Sequence, residues 1–173
     1  MIGWTDRTAD LSDHAALARL RARLPEAPVV SSDLSRARAT ADALARGPRL
    51  PDDPRLREIH FGQWEDRSFA EVDAEDPERL RAFWERPGLS APPGGEGWDA
   101  LRARVDAALD DLLAPAMPDL VIVAHFGPIL CALQRARGVS TETIFAQKIE
   151  PLSLTRIDRH GDGWAVDRVN QPP

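Results

Sequence analysis

Two segments of this chain place charged or ring-nitrogen groups where an apolar run gives way to helical composition. Ser31-Ser32-Asp33-Leu34-Ser35-Arg36 follows Val29-Val30, and His125-Phe126-Gly127 follows Leu120-Val121-Ile122-Val123-Ala124. A strand that opens directly into a helix aims backbone N–H groups at the turn, and the helix dipole favours negative charge there. An Arg in the first helical turn adds a planar fork of donors that fits two oxygens of a phosphate. Taken singly, Arg36 reads as a solvated helix residue. The two turns together describe a site able to hold phosphate.

The elements that must position these groups follow from pattern. Leu17, Leu20 and Leu24 recur at helical spacing after Ser12 or Asp13 as cap, so a helix should end near Leu24, before Pro25. Residues 28–32 read as a short buried strand, and 34–46 return to Ala-rich helical composition. Residues 57–64 turn at Gly62, residues 69–84 predict a charged helix, and 87–97 form a Pro/Gly-rich loop. Leu101, Val105, Leu109, Leu112 and Leu113 share one face of a helix over 98–113, stopped by Pro115. Residues 120–124 are the clearest buried strand, and the helix after His125 should run through Gly138. Residues 153–157 and 164–169 flank Gly161-Asp162-Gly163, a hairpin signal. One domain spanning 1–173 is expected, with a small cap insertion around 65–97 lying over the sheet.

Composition narrows the partners. The formal charge is −6, and the cations are almost all Arg, interspersed with Asp and Glu. Nucleic acid is therefore excluded as an expected partner, because backbone phosphates require a concentrated basic face, whereas a few Arg in one cleft suffice for a small phosphorylated molecule. No signal peptide or membrane-length apolar run is present, so cytoplasmic residence is expected, with no membrane partner. The single Cys131 lies in an apolar run and reads as a buried structural thiol. No ligand-spaced set of His and carboxylates suggests a metal, and no cofactor is implied.

Five blocks recur in a known order: Gly3-Trp4-Thr5-Asp6 with Leu11-Ser12; Ser31 to Ala37 with Thr40-Ala41; Leu56-Arg57-Glu58 with Phe61-Gly62-Gln63-Trp64-Glu65; Pro93-Gly94-Gly95-Glu96; and Val123-Ala124-His125-Phe126-Gly127. Nearly end to end, the chain resembles the histidine phosphatase superfamily. The resemblance implies a phosphoglycerate-mutase-like α/β fold, a mostly parallel sheet sandwiched by helices with the site at the strand C-terminal ends. It implies a phosphomonoester hydrolase acting on a small phosphorylated metabolite. Arg36 is then the phosphate-binding arginine, with His125 and Gly127 beside it. His125 hydrogen-bonds the phosphoryl oxygens, and Glu58 protonates the leaving alkoxide, which requires a raised pKa. Ile2 and Gly3 correspond to substrate contacts. The short segment Phe83 to Pro87 leading to Pro92-Pro93-Gly94-Gly95-Glu96 is similar to the broad-specificity and alpha-ribazole phosphatase group, which favours a phosphatase over a phosphoglycerate mutase.

The pattern breaks at the start. The family's apolar strand ending in Arg-His-Gly belongs upstream of Gly3, where this chain has Met1 and Ile2. The expectation is a fold missing its first central strand and a site missing its nucleophile, impaired as it stands. A shortened N-terminus is favoured over a natural, non-catalytic phosphate-binding protein, because Arg36, Glu58 and His125 are retained. Arg159-His160-Gly161 spells the missing tripeptide but sits in a surface turn. His14 is expected to be solvated and His60 to be partly buried without a role. Phe126 and Asp66 stand where the family has smaller residues, and both are expected to narrow or recharge the pocket.

Overall fold

The computed structural model describes residues 1–88, 90–161 and 163–173. Seven α-helices and four strands occur among them: α1 (His14–Arg23), β1 (Val29–Ser31), α2 (Ser35–Leu44), α3 (Phe69–Glu75), α4 (Pro77–Glu85), α5 (Trp98–Leu113), β2 (Val121–Val123), α6 (Phe126–Arg137), α7 (Thr141–Phe145), β3 (Leu154–His160) and β4 (Gly163–Gln171). The α/β fold anticipated from the sequence is present, with a small sheet.

The sheet comes in two pieces. Strands β1 and β2 pair in parallel, with Val29 opposite Val121 and Ser31 opposite Val123, while β3 and β4 form an antiparallel hairpin. The parallel pair continues past its ladder, since Ser32 N–H donates to the Val123 carbonyl at 3.1 Å. Both strands therefore end side by side, and both run straight into helices, α2 and α6. Strand β1 is fully buried, but β2 is only half-buried, contrary to the expectation of a buried strand. The two strands differ at their outer edges: residues 48–53 cover that of β1, with Val29 N donating to the Pro48 carbonyl and Leu50 N to the Val29 carbonyl, whereas β2 has no strand on its other side among the described residues.

Local chemistry sets the helix boundaries. Asp13 caps α1 by accepting from Ala16 N at 2.9 Å. The residue preceding α2, Leu34, has no capping side chain, and the free N–H of Ser35 is satisfied instead by Asp6 at 2.8 Å, from a distant loop. The single helix predicted over 69–84 is broken in two. Pro77 cannot donate to the preceding turn, and Asp76 both ends α3 and caps α4 by accepting from Arg79 N. Ser68 and Glu71 form a reciprocal capping box at the start of α3. Gly138 ends α6 in the left-handed conformation, φ 62°, where a Cβ is disfavoured. The short α7 escapes the sequence pattern, being a single turn capped by Ser140. Asp162 at the expected hairpin tip and Leu89 in the Pro/Gly loop lie outside the described residues.

The core is largest where α5 and α6 meet the segment 59–64 and the two cap helices. Leu101, Leu130, Leu133 and Ile144 are fully buried there. Edge-to-face aromatic pairs tie the cap down, Trp64 to Phe83 at 5.7 Å and Trp84 to Phe145 at 6.2 Å, and Phe145 in turn packs on Trp98 of α5 at 4.6 Å. Cys131 is completely buried, and burial pushes its thiol well up, in keeping with an inert structural residue. No helix among the described residues is long and apolar enough to cross a membrane.

Gly62 illustrates how tightly the turn before the cap is built. It has φ +54°, and a Cβ there would sit 2.2 Å from the Pro93 carbonyl oxygen and 2.4 Å from Gly95 N. Gly62→Ala should therefore destabilise the fold by ~2 kcal/mol or more, combining left-handed strain with a backbone clash. Urea denaturation measures this, and a midpoint within error of the parent would contradict the packing described.

Candidate active site

Glu58 is a carboxylate buried at the junction of two segments far apart in sequence. Its Oε1 accepts from Ile59 N at 2.8 Å and from Gly127 N at 3.0 Å, and its Oε2 is 3.2 Å from Gly127 N. Burial raises its pKa to about 7, and the backbone donors Ile59 and Gly127 and the charges of Arg36 and Arg104 oppose that rise. A raised pKa, which an acid role would require, is thus a property of the site. Gly127 is required for this approach, because a Cβ on it would lie 2.4 Å from Glu58 Oε1 and 2.9 Å from Leu101 Cδ2.

His125 immediately precedes α6 and has extended backbone, so its ring projects from the end of β2. Its Nε2 is buried without a hydrogen-bond partner. Burial, then the positive charges of Arg36 and Arg104, lower its pKa to about 3, with Asp33 pulling weakly the other way. The imidazole is neutral near pH 7 and sits in a cationic field. An oxyanion placed against it and Arg36 would satisfy both groups.

Arg36, in the first turn of α2, is half-buried. It donates to the Gly3 carbonyl at 2.6 Å and the Thr5 carbonyl at 3.0 Å. Two of five donors are so used, which leaves part of the fork for a ligand. The structure therefore brings Arg36, Glu58, His125 and Gly127 into one site at the C-terminal ends of β1 and β2. Gly3 reaches the site through its carbonyl. Ile2 is 41% exposed beside it.

Asp66 departs from expectation, whereas the exposure of His14 and of Arg159-His160-Gly161 agrees with it. Asp66 does not recharge the pocket: its carboxylate pairs with exposed Arg7, and its backbone, at φ 60°, occupies the left-handed region that explains why glycine would suit this position. Phe126, expected to narrow the pocket, is 40% exposed at the start of α6. His60 does have a neighbour of interest, lying 4.7 Å from the Trp4 ring, which the Arg57 guanidinium also covers at 4.8 Å. His14 is exposed, and Arg159-His160-Gly161 forms the exposed end of the β3–β4 hairpin.

Sequence reasoning missed Arg104. From α5 it donates to the carbonyls of Arg55 at 2.8 Å, Arg57 at 2.7 Å and Glu58 at 2.8 Å, and it pairs with Glu96. Glu96 in turn accepts from His60 N at 2.9 Å. This pair staples the strand of backbone that carries Glu58. No signal in the sequence separates Arg104 from the other Arg residues of an amphipathic helix, because its partners are carbonyls of a segment about fifty residues away.

Comparison with known proteins places the chain in a family and a fold. Residues 11–172 match the histidine phosphatase superfamily (branch 1). The "Bifunctional protein Rv2228c" of Mycobacterium tuberculosis is 34% identical over 161 residues, covering 91% of this chain and 44% of that protein. The chain thus spans less than half the length of that curated relative. Among solved structures, Bacillus stearothermophilus YhfR superposes with a TM-score of 0.89 at 26% identity, covering 100% of this chain and 89% of the other. The mycobacterial glucosyl-3-phosphoglycerate phosphatase Rv2419c gives 0.83 at 28% identity, covering 100% and 92%.

Two outcomes follow from the geometry. The His125 ring, followed by NMR, should stay neutral from pH 8 down to roughly 4 and shift upward when inorganic phosphate is added. Because its folded pKa lies below the unfolded 6.5, it costs stability as pH falls through that window, whereas Glu58, raised from 4.5, costs stability as pH rises from 4.5 towards 7. Titration of the ring near 6.5 would be incompatible with its burial. Gly127→Ala should displace the Glu58 carboxylate, lowering stability by ~1–3 kcal/mol and weakening phosphate binding, as read by denaturation and calorimetry.

Proposed function

The chain belongs to the histidine phosphatase superfamily, and from that premise we propose that it is the phosphate-handling part of a metal-independent phosphomonoester hydrolase acting on a small phosphorylated metabolite. The observation that carries this reading is the convergence of Arg36, the unpartnered Nε2 of His125 and the buried Glu58 at the ends of two parallel strands. The phosphatase named for the mycobacterial structure above supports hydrolysis over mutase chemistry, as does the small cap of α3 and α4.

In this reading Arg36 and His125 stabilise charge on the equatorial phosphoryl oxygens, while the Gly127 N–H holds Glu58 in place. The P–O bond to the leaving group breaks as a P–N bond forms to a nucleophilic imidazole, and Glu58 delivers its proton to the departing alkoxide. Water then cleaves the P–N bond, with Glu58 receiving the proton. By the family resemblance His125 contacts the phosphoryl oxygens and the nucleophilic ring is a second histidine. His14 and His160 are exposed and His60 is engaged beside Trp4, so none of these three rings is given that role in the proposal, and a histidine presented beside the open side of β2 would fill it.

The test is hydrolysis of phosphomonoesters with EDTA present, comparing this chain with one extended upstream. Activity in the extended protein is expected, with a descending limb near pH 7 as Glu58 loses its proton. Glu58→Gln should lower turnover of an alkyl phosphate by about 10²-fold or more, and that of p-nitrophenyl phosphate far less, since a good leaving group needs little protonation. Two folded but inactive proteins that bind phosphate only when Arg36 is intact would favour the second reading, a non-catalytic phosphate-binding domain.

A further inference from the structure

Glu65 lies outside the groups that the proposed chemistry uses, yet its carboxylate is among the most heavily hydrogen-bonded in the molecule. Oε1 accepts from Trp4 N at 2.8 Å and Phe61 N at 2.9 Å. Oε2 accepts from Gly3 N at 3.1 Å, Thr5 N at 3.0 Å and Thr5 Oγ1 at 2.8 Å. All five donors are neutral, and four of them belong to the loop Gly3-Trp4-Thr5. Burial alone would push this carboxyl up, but the backbone N–H groups of Trp4, Phe61 and Thr5 and the Thr5 hydroxyl hold it at about 2.

The other side of the same loop faces Arg36. The Gly3 carbonyl that accepts from the Arg36 guanidinium and the Trp4 N–H that donates to Glu65 are the two polar groups of one peptide unit. A trans peptide is planar, and its C=O and N–H point in opposite directions, so fixing one fixes the other. The loop leaves little slack, because a Cβ on Gly3 would sit 2.1 Å from the Ile59 carbonyl oxygen and 2.4 Å from Glu65 Oε1. Its far end is pinned separately, by Asp6 on Ser35 N and Oγ at 2.8 Å each.

We propose that Glu65 is a positioning residue for phosphate recognition: through the Gly3-Trp4 peptide plane it aims the carbonyl that orients the Arg36 guanidinium. This rests on the reading of Arg36 as the phosphate-binding arginine. Glu65 does not touch the phosphate in this scheme. It sets the direction in which the free donors of Arg36 project, so that the fork is ordered before the anion arrives.

The test measures inorganic phosphate affinity by calorimetry, and the guanidinium of Arg36 by ¹⁵N NMR, in the parent chain and in Arg36→Ala, Glu65→Gln and the double variant. Glu65→Gln turns one carboxylate oxygen into an NH₂ group facing N–H donors. It should weaken phosphate binding by about tenfold, the scale of one disrupted charge-assisted hydrogen bond, and speed rotation of the Arg36 guanidinium. On the Arg36→Ala background Glu65→Gln should have no further effect on affinity, an outcome that a purely structural carboxylate would not produce. Should Glu65→Gln fail to fold, Thr5→Val removes one of the five donors and should give a smaller loss of the same kind. Phosphate binding that depends on Arg36 but is unchanged in Glu65→Gln, or unaltered guanidinium dynamics in Glu65→Gln, would overturn the positioning role while leaving the site reading intact. A parent chain that binds no phosphate would overturn both.

Discussion

The contact between the Glu58 carboxylate and the Gly127 backbone N–H joins segments far apart in sequence at the candidate site. A buried carboxylate is costly unless its oxygens find donors, and here those donors come from the first turn of α6 and from its own neighbour Ile59. The arrangement works only because position 127 has no side chain. Its consequence is electrostatic: burial outweighs the donors and cations around it, so the group is poised between its two protonation states near neutrality rather than locked as an anion.

Around that contact the cations are arranged for different ends. Arg104 spends its donors on backbone carbonyls and on Glu96, so it shapes the segment carrying Glu58 and contributes a fixed positive charge. Arg57 is engaged by Asp33 through two bonds of 2.7 and 2.6 Å. Arg36 alone of the three meets only peptide carbonyls, which are weaker partners than a phosphate dianion. Burial, reinforced by the same cationic field, holds the His125 pKa down, so that an anion entering the site would find two groups whose interactions improve together.

The loop 3–7 is the least regular part of the site and among its most constrained. Asp6 caps α2, Glu65 collects the loop's N–H groups, and Arg36 takes its carbonyls. Glu65 itself follows the turn at Gly62 and Trp64, which the cap aromatics bury. Cap packing and phosphate-site geometry therefore meet in one carboxylate, which gives the aromatic cluster a bearing on the site beyond stability.

Much of this was legible in the sequence. Residues 98–113 and the strand-to-helix turns at Arg36 and His125 were visible because apolar periodicity and caps are local signals, and the structure places α5, α2 and α6 accordingly. Family resemblance, carried by five ordered blocks, points to Arg36, Glu58 and His125, which the structure brings close together. The Phe69–Trp84 segment was misjudged as one helix because composition outweighed Pro77. What only the tertiary structure decided were partnerships across long separations: Arg104 with the carbonyls of 55–58, Glu65 with residues 3–5, and the half-burial of β2. The sequence determines which groups exist and which elements carry them. Which donor meets which acceptor is settled by packing, because backbone carbonyls and N–H groups are identical at every position and carry no mark in the sequence of the partner they will find.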